Sequence, residues 1–271
     1  MEIKFVSWNV KHFSGRNPAR LSRVVDYLKA LDADVISLYE IKGAAIFGML
    51  HDRLPGYVWA NTHGAQSQEI LVGVRSSLGT IGFEQTDSFK ARNNFLRPGL
   101  LTTIKNSMGD AVVFLSLHLK SGSDYLSNAV RDEQFLALRG LSKALYGQGL
   151  PLVAMGDLNT MGLDLSYGEG HDTDVEFKLM DRKMKNAYLK RIEKDWDHTW
   201  TPSAKSRYEA ADLDHVYATQ SVEFLPISEE DPEGPKIRVD WPENYEPRGD
   251  RAIWWRDEMS DHAPLIGAVK F

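Results

Sequence analysis

Hydrophobic residues at the start of the chain follow a strand pattern, then a helix pattern, then a strand pattern again. Residues 3–10 are rich in β-branched and aromatic side chains, which predicts a β-strand. After Asn17-Pro18, a typical helix start, apolar residues recur on one helical face at Leu21, Val24, Val25, Leu28 and Leu31. Residues 34–39 are a short apolar strand. Such a strand–helix–strand unit usually makes its two strands parallel.

A second unit of the same kind lies in the middle of the chain. It has a strand at 111–119, a helix at 128–146 that closes at Gly147, and a returning strand at 150–156. Shorter strands are predicted at 69–75, 79–86, 99–105, 213–219 and 264–271. No repeat, low-complexity run or Gly/Ser linker divides the sequence. We therefore expect one α/β domain over residues 1–271, with more strands than one sheet comfortably holds.

Four of the apolar strands end in a polar residue that can bind a metal ion or a substrate. These residues are Asn9, Glu40, His118 and Asp157, and Asn159 follows two positions after the last of them. Because side chains alternate along a strand, Glu40 is expected to share a face with Ile36 and Leu38. The carboxyl ends of strands form the edge where α/β sheets usually bind ligands.

Three further polar residues, Asp214, Asp261 and His262, stand at or just before the start of a strand. If those strands run antiparallel to the first four, all of these side chains converge on one cleft. Each residue alone also has a plain structural explanation, as a turn residue, a solvated strand end, a core histidine or a cap. Their order along the chain favours the shared cleft.

Composition narrows the class of protein. The net charge of −6 and the pI near 5.8 argue against a protein that coats nucleic acid through a broad basic surface. A site of cation-binding carboxylates is itself acidic, so a nuclease remains compatible with this charge. The absence of cysteine excludes disulfides, thiolate nucleophiles and cysteine-ligated zinc. Since neither a membrane span nor a signal peptide is visible, we expect a cytoplasmic protein, with secretion after signal removal left open.

Seven short motifs occur in one order over nearly the whole chain. They are SWNVKHF at 7–13, SLYEIK at 37–42, FLRPGLL at 95–101, SLHLKSG at 116–122, MGDLNT at 155–160, DLDHVYAT at 212–219 and SDHAPL at 260–265. Together they resemble the endonuclease/exonuclease/phosphatase superfamily, the DNase I-like fold. The resemblance implies an α/β four-layer sandwich, with two mixed β-sheets packed face to face and helices on the outside.

The resemblance also implies a metal centre. Asn9 and Glu40 resemble the ligands of a principal Mg²⁺ or Mn²⁺ ion, and Asp261 resembles a further ligand that binds directly or through water. Asp157 resembles a residue that also holds a second ion. The chemistry of these residues agrees with that reading, because hard cations take oxygen ligands and Mg²⁺ usually binds only one or two carboxylates. Such a cation neutralises the charge that develops on a phosphodiester under attack.

Catalytic roles follow from the same resemblance. Asp157 and Asn159 resemble the pair that activates and orients the attacking water, and Asp214 resembles the carboxylate that orients and charges His262. Arg97 and His118 resemble residues that contact the phosphate of the substrate. A guanidinium always carries its charge and grips phosphate oxygens in a fork that lysine cannot copy.

Departures from the family pattern narrow the choice among branches of the superfamily. Relatives resembling exonuclease III and the abasic-site endonucleases usually continue the Gly-Asp-x-Asn element with Val-Ala-His, whereas Thr160-Met161-Gly162 follows here, and they lack an equivalent of His118. The pattern is closer to the DNase I-like, sphingomyelinase-like and phosphoinositide-phosphatase-like branches. We expect a nuclease that cleaves DNA or RNA. The alternatives are a phosphatase or phosphodiesterase acting on a lipid headgroup or inositol phosphate, and a non-enzymatic binding module.

Substrate contacts are predicted near the last motif. The acidic stretch 226–259 carries Trp254-Trp255-Arg256 just before the predicted metal ligand Asp261. On extended backbone one tryptophan of the pair faces the cleft, where it stacks on a base while Arg251 or Arg256 meets a flanking phosphate. In the alternative, both rings pack this segment against the sheet. We expect a nucleic-acid substrate, no stable membrane association, no obligate protein partner and a monomer.

Overall fold

The computed structural model describes residues 1–43, 45–165 and 168–271. The first half of the chain forms β1 (Glu2–Phe13), α1 (Pro18–Leu31), β2 (Val35–Ile41), α2 (Ala45–Arg53), β3 (Tyr57–Asn61), β4 (Glu69–Arg75), β5 (Thr80–Thr86), β6 (Gly99–Lys105) and β7 (Ala111–His118). The second half forms α3 (Tyr125–Gly147), β8 (Leu152–Asp157), α4 (Thr173–Lys185), β9 (Leu189–Arg191), β10 (Asp214–Thr219), β11 (Glu223–Phe224), β12 (Arg238–Val239), α5 (Asp250–Glu258) and β13 (Leu265–Lys270).

These strands form two mixed sheets. The first has the order β11-β13-β1-β2-β4-β3, with β12 paired to β13, and the second has the order β5-β6-β7-β8-β10-β9. As predicted, β1 and β2 are parallel, and so are β7 and β8. β13 runs antiparallel to β1, and β10 runs antiparallel to β8. The starts of β10 and β13 therefore lie at the edge where the other strands end.

Three hydrophobic clusters hold the layers together. One fills the space between the sheets and includes Phe5, Phe114 and Met155. A second lies between the first sheet and helices α1, α2 and α5, and a third lies between the second sheet and helices α3 and α4. Full burial of one large apolar side chain contributes about 1.5–3 kcal/mol, so these layers dominate the stability of the fold. The predicted four-layer sandwich is confirmed.

Side-chain caps set the beginnings of two helices. The Asn17 side chain accepts a hydrogen bond from the Arg20 amide at the start of α1, as the Asn-Pro pair predicts. α3 begins three residues earlier than predicted, because the Asp124 side chain accepts from the Ser127 amide. Helices α2, α4 and α5 and strand β3 were not predicted from the hydrophobic pattern. No helix among the described residues is long and apolar enough to cross a membrane.

Candidate active site

The cleft begins at an irregularity at the ends of β1 and β2. The pairing of these strands shifts register between Asn9 and Phe13. Within this bulge Lys11 and His12 have φ of 42° and 48°, and Glu40 on the neighbouring strand has φ of 65°. Residues other than glycine rarely adopt positive φ, and such strained residues cluster at functional sites. The strain turns polar side chains toward one opening between the sheets.

Glu40 corrects one prediction. Alternation along β2 places it on the face of Ile36 and Leu38, and both of those residues pack among the helix-facing cluster of the first sheet. The Glu40 carboxylate instead lines the cleft and accepts a hydrogen bond from the Asn9 amide at 3.2 Å. The left-handed backbone at Glu40 breaks the alternation and redirects the side chain.

Gly156 explains the form of the Gly-Asp-x-Asn element. Its φ is +150°, and a Cβ atom at this position would stand 1.9 Å from the Leu117 carbonyl oxygen on β7. Only glycine allows β7 and β8 to approach this closely. The close pair sets His118 directly opposite Asp157 in the parallel register. Two residues later Asn159 adopts φ of 51°, a conformation that asparagine tolerates.

One cleft gathers the predicted residues. Its volume is about 310 Å³, and its lining contains Glu40, Arg97, His118, Asp157, Asn159, Asp261 and His262. Asn9 and Asp214 reach it through hydrogen bonds to lining residues. Larger cavities of about 560 and 550 Å³ lie beside α4 and β9, where Arg191–Asp181 and Lys194–Asp212 ion pairs occupy the charged groups. We assign the chemistry to the smaller cleft, where one atom each of Arg97, His118 and Asp214 has no hydrogen-bond partner among the described residues.

The first sheet supplies a cluster of side-chain oxygen atoms that can bind a metal ion. The Asn9 amide nitrogen donates to Asp157 Oδ2 at 2.9 Å and to Glu40 Oε1 at 3.2 Å, linking the two carboxylates. Glu40 Oε2 also accepts from the His12 amide at 2.9 Å. Lys11 Nζ lies 3.4 Å from Asp261 Oδ2. A lysine charge thus lies beside Asp261 and a backbone N–H beside Glu40, two carboxylates that are predicted to bind the metal ion.

These oxygen atoms are ligands of the kind that a hard divalent cation takes. Carboxylates of Glu40, Asp157 and Asp261 face one small space, and burial, followed by repulsion from Asp214, raises the pKa of Asp157 to about 7. A cation would relieve that repulsion. The Asn9 oxygen accepts from the Lys11 amide at 2.9 Å, so the amide nitrogen faces the carboxylates. A half-turn of the amide about its Cβ–Cγ bond would bring the oxygen to a metal ion.

A carboxylate–histidine pair joins the two sheets, because Asp214 begins β10 of the second sheet and His262 stands just before β13 of the first. His262 Nδ1 lies 2.7 Å from Asp214 Oδ2, and both side chains are buried. Burial alone would lower the pKa of His262, but the carboxylates of Asp214 and Asp157 raise it to about 10. Its other ring nitrogen, Nε2, lies 3.9 Å from Asp157 Oδ2. His262 is therefore a charged donor at neutral pH.

This pair also belongs to a group that could itself hold a metal ion. One ligand atom each of Asp157, Asp214 and His262 lie within 4.8 Å of one another. A histidine must lose its proton to bind a metal, and the high pKa of His262 opposes that loss. The high pKa of His262 thus suits proton chemistry, and the oxygens of Glu40, Asp261 and Asn9 are ligands of the kind that a hard cation takes.

Two tryptophans fix the backbone of His262. The indole N–H groups of Trp8 and Trp255 both donate to the His262 carbonyl at 3.0 Å. The Ser260 hydroxyl donates to the Asn9 carbonyl at 2.6 Å and accepts from the His262 amide. These hydrogen bonds tie the segment that carries Asp261 and His262 to β1, the strand that carries the predicted metal ligand Asn9.

His118 and Arg97 form the remaining wall. His118 Nε2 lies 3.4 Å from Asp157 Oδ2, and its Nδ1 has no hydrogen-bond partner among the described residues. Burial, then the positive charge of Arg97, lowers the pKa of His118 well below its ordinary value. Arg97 donates to Gln68 Oε1, while its Nε is buried and has no partner in the described part of the chain. Both side chains thus line the cleft while one buried nitrogen of each makes no hydrogen bond among the described residues.

The tryptophan prediction is wrong about the backbone. Trp254 and Trp255 lie on helix α5 rather than on an extended segment. Trp255 is buried, and its ring packs 5.9 Å from that of Trp8. Trp254 is 45% exposed but is not part of the cleft lining, and Arg256 pairs with Asp257 at 2.7 Å. Trp255 therefore has the structural role that the alternative gave to both rings.

Sequence reasoning missed several residues that line the cleft, namely Lys11, His12, Gln68, Ser121, Met161 and Trp200. Lys11 and His12 lie within the SWNVKHF motif, so their position beside Asn9 was the available signal. Trp200 gave no such signal, since it lies in an irregular segment that bridges to Ala211 and His262.

The fold is similar to those of several solved structures. TDP2 of D. rerio, crystallised with a single-strand DNA product, aligns with a TM-score of 0.67 at 16% identity, covering 100% of this chain and 99% of that chain. Truncated Caenorhabditis elegans TDP2 aligns with a TM-score of 0.66 at 16% identity, over 100% and 98% of the two chains. An endonuclease/exonuclease/phosphatase protein of Bacteroides vulgatus gives 0.67 at 12%, over 100% and 99%. Likeness at these identities shows the fold alone.

Sequence comparison gives the family. The profile described as Endonuclease/Exonuclease/phosphatase family matches residues 6–262, a range that contains every residue predicted for the metal and for catalysis. No curated protein sequence matches this chain significantly. Fold and profile together define the class as hydrolases of phosphoester bonds that generally depend on divalent metal ions. The chain belongs to the endonuclease/exonuclease/phosphatase family.

Proposed function

We propose that this chain is a Mg²⁺- or Mn²⁺-dependent nuclease that hydrolyses the phosphodiester bonds of DNA or RNA with an activated water. The observation that carries the proposal is that one cleft brings together two functional groups of side chains. The oxygen ligands Glu40, Asp261 and Asn9 form one group, and the buried His262–Asp214 pair, 2.7 Å apart, forms the other. An anionic phosphodiester bound between these two groups contacts the cation and the charged histidine at the same time.

Each side chain has a defined task in this mechanism. A bound divalent cation supplies charge neutralisation at the phosphate. Asp157, whose pKa near 7 suits a general base, accepts a proton from the attacking water. The backbone N–H of Asn159 holds the Asp157 carboxylate, because it donates to Asp157 Oδ1 at 3.1 Å. His262 donates from Nε2 to a phosphate oxygen while Asp214 fixes its orientation.

Products follow from the bond that breaks. The water oxygen bonds to phosphorus as Asp157 takes its proton, the bond from phosphorus to the 3′-oxygen breaks, and the 3′-oxygen leaves as an alcohol after taking up a proton from solvent water. The cleaved strand then carries a 3′-hydroxyl and a 5′-phosphate. Arg97 supports this step with a charged guanidinium whose Nε has no protein partner among the described residues.

A substrate class is supported by one comparison. D. rerio TDP2, which shares the fold over the whole length of this chain, was crystallised with a single-strand DNA product. We propose a single-stranded nucleic acid for this chain as well, with its scissile phosphate in the cleft of about 310 Å³. The monomeric state and a cytoplasmic location remain predictions from the sequence.

A second candidate, hydrolysis of a lipid headgroup, is favoured by one specific observation. Phe95, Tyr125 and Leu126 are 75%, 68% and 73% exposed. Phe95 stands two residues before Arg97, and Tyr125 stands four residues after Ser121, so exposed apolar side chains flank two residues that line the cleft. Such side chains can dip into a membrane interface, or they can stack on bases.

One panel separates the two candidates. The purified protein is assayed with saturating Mg²⁺ on supercoiled DNA, a single-stranded DNA oligomer, single-stranded RNA, sphingomyelin vesicles and inositol phosphates, each with an EDTA control. The proposal predicts cleavage of a nucleic acid to ligatable 5′-phosphate ends. Turnover confined to the vesicles, and lost in Phe95→Ser, would establish the lipid reading instead.

A further inference from the structure

Arg131 is a fully buried charge in the inner face of α3. A guanidinium has five N–H donors, and Arg131 makes five hydrogen bonds. Nε donates to Glu176 Oε1 at 2.7 Å, and Nη2 donates to Glu176 Oε2 at 3.2 Å and to the Gly162 carbonyl at 3.1 Å. Nη1 donates to the Lys120 carbonyl at 3.1 Å and to the Gly122 carbonyl. Every donor of this side chain is in use.

Glu176 on α4 completes the arrangement. Its carboxylate is buried, and Oε2 also accepts from the Gly162 amide at 2.6 Å. The N–H and the C=O of Gly162 are thus both held, one by Glu176 and the other by Arg131. Gln134, one turn along α3, accepts from the Lys120 amide at 3.0 Å. Side chains of helices α3 and α4 therefore hold two loops in place through hydrogen bonds to the loops' backbone N–H and C=O groups.

Both loops belong to the second-sheet half of the cleft. Residues 119–123, the β7 loop, follow His118, and residues 158–163, the β8 loop, follow Asp157. Ser121 of the first loop and Met161 of the second line the cleft. The two loops are also joined to each other, because Asn159 Nδ2 donates to the Leu119 carbonyl at 3.1 Å.

We infer that Arg131 is a positioning residue for this half of the cleft. Through Glu176 and three backbone carbonyls it fixes the β7 and β8 loops, and with them Asn159 and the wall that faces the phosphate. The inference rests on the proposed function, because it assigns Arg131 to the geometry of that cleft. A buried ion pair is by itself weak support for stability, since apolar side chains of similar volume often stabilise a core equally well. Among the amino acids, only arginine directs five N–H donors at fixed angles.

The test is a set of charge-conserving and shape-conserving variants. Arg131→Lys keeps the charge but has three donors in place of five, and Glu176→Gln keeps the shape but loses the charge. Arg75→Lys is the matched control. Arg75 likewise donates to Asp34 and Asp32, but it stands at the end of β4, on the edge of the first sheet opposite the cleft.

Expected results separate positioning from stability. With the most active substrate of the panel, Arg131→Lys and Glu176→Gln should lower kcat by about 10-fold to 100-fold, since small displacements in an active site have effects of that size. The Mg²⁺ concentration for half-maximal activity should not change, because Asn9, Glu40 and Asp261 come from the first sheet. Arg75→Lys should change neither quantity. Assays run well below the unfolding temperature of every variant.

Hydrogen exchange gives a readout that is independent of turnover. Amides of the β7 and β8 loops should exchange faster in Arg131→Lys, while those of the β1–β2 pair should not. If Arg131→Lys fails to fold, Glu176→Gln provides the same comparison. Unchanged kcat in folded variants, or a parallel loss of kcat and Mg²⁺ affinity, overturns the inference. Wild-type protein without activity on any substrate refutes the proposed function, and the exchange data still decide whether Arg131 holds the loops.

Discussion

His262 and His118 both lie beside the carboxylate of Asp157 but differ in charge. Both are buried, and their Nε2 atoms lie 3.9 and 3.4 Å from Asp157 Oδ2. Asp214 contacts Nδ1 of His262 at 2.7 Å, whereas Nδ1 of His118 has no partner among the described residues. The pKa of His262 is raised to about 10, while burial lowers that of His118. A second carboxylate, rather than distance to the shared one, determines which ring is charged.

The difference divides the work of the cleft. His262 donates a charge-assisted hydrogen bond, the strong kind, to an oxygen that gains negative charge. His118 is neutral, and the positive charge of Arg97 beside it opposes protonation. A neutral ring can orient a phosphate oxygen or a water through one N–H but adds no charge. Mutations of the two histidines should therefore differ in size and in pH dependence.

The largest effect is expected from His262→Ala. It removes the charged donor, and groups of this kind typically contribute about 10²–10⁴-fold to the rate. We expect kcat on a DNA oligomer to fall by about that factor at saturating Mg²⁺. Because Asp214 is left buried without a partner, His262→Asn serves as a companion that keeps a donor toward it. A folded variant with kcat within twofold of wild type would remove His262 from the mechanism.

A smaller loss is expected from Asp214→Asn, which keeps the shape and removes only the charge. Without this carboxylate the pKa of His262 falls, so the charged ring is lost at lower pH. We expect about a 10²-fold loss in kcat and a shift of the alkaline limb of the rate profile to lower pH. Asp181→Asn, whose carboxylate pairs with Arg191 beside α4, is the control. An unshifted alkaline limb would show that the pair does not set the charge of the ring.

His118→Asn should have the smallest effect. A neutral hydrogen bond contributes about 0.5–1.5 kcal/mol, which corresponds to a loss of roughly tenfold or less in kcat/KM. The pH limits of the profile should stay in place, because His118 is neutral across the working range. If this variant lost as much activity as His262→Ala, the two rings would share one charge-bearing role and the contrast between them would be wrong.

Carbon-13 NMR titration of the two rings measures the contrast without turnover. His262 should stay protonated from pH 5 to 8 and His118 should stay neutral. The stability effects have opposite signs. The raised pKa of His262 stabilises the fold fully below the unfolded value of about 6.5, and this stabilisation is lost as pH rises through about 10. The lowered pKa of His118 has no effect on stability above about 6.5 and destabilises the fold as pH falls below that value, because the unfolded chain takes up the proton first. Two rings that titrate together would contradict the assignment.

Much of this site could be predicted from the sequence because its residues stand at the ends of regular strands. Strand direction and alternation place His118 and Asp157 on the inter-sheet face, and the antiparallel pairing of β13 with β1 and of β10 with β8 brings the later residues to the same edge. The order of seven motifs gave the fold and the family. Those signals depend on regular geometry.

What could not be predicted depends on irregular geometry. Glu40 reaches the cleft only because its φ is 65°, and hydrophobic alternation carries no information about left-handed backbone. Helix α5 buries little besides Ala252 and Trp255, so its apolar pattern is too sparse to distinguish from a loop. Trp200 arrives on an irregular segment held by bridges to distant residues. Tertiary contacts, rather than local pattern, determine these positions.

Metal dependence is the most direct test of the central claim, that the cleft hydrolyses phosphodiesters with a divalent cation held by Glu40, Asp261 and Asn9. Cleavage of a single-stranded DNA oligomer is followed in EDTA, after return of Mg²⁺ or Mn²⁺, and in Glu40→Gln over a range of Mg²⁺ concentrations. We predict no cleavage in EDTA, full recovery with metal, and a strongly raised Mg²⁺ requirement in Glu40→Gln, since one charge of the metal site is lost. Undiminished cleavage in excess EDTA would contradict the account.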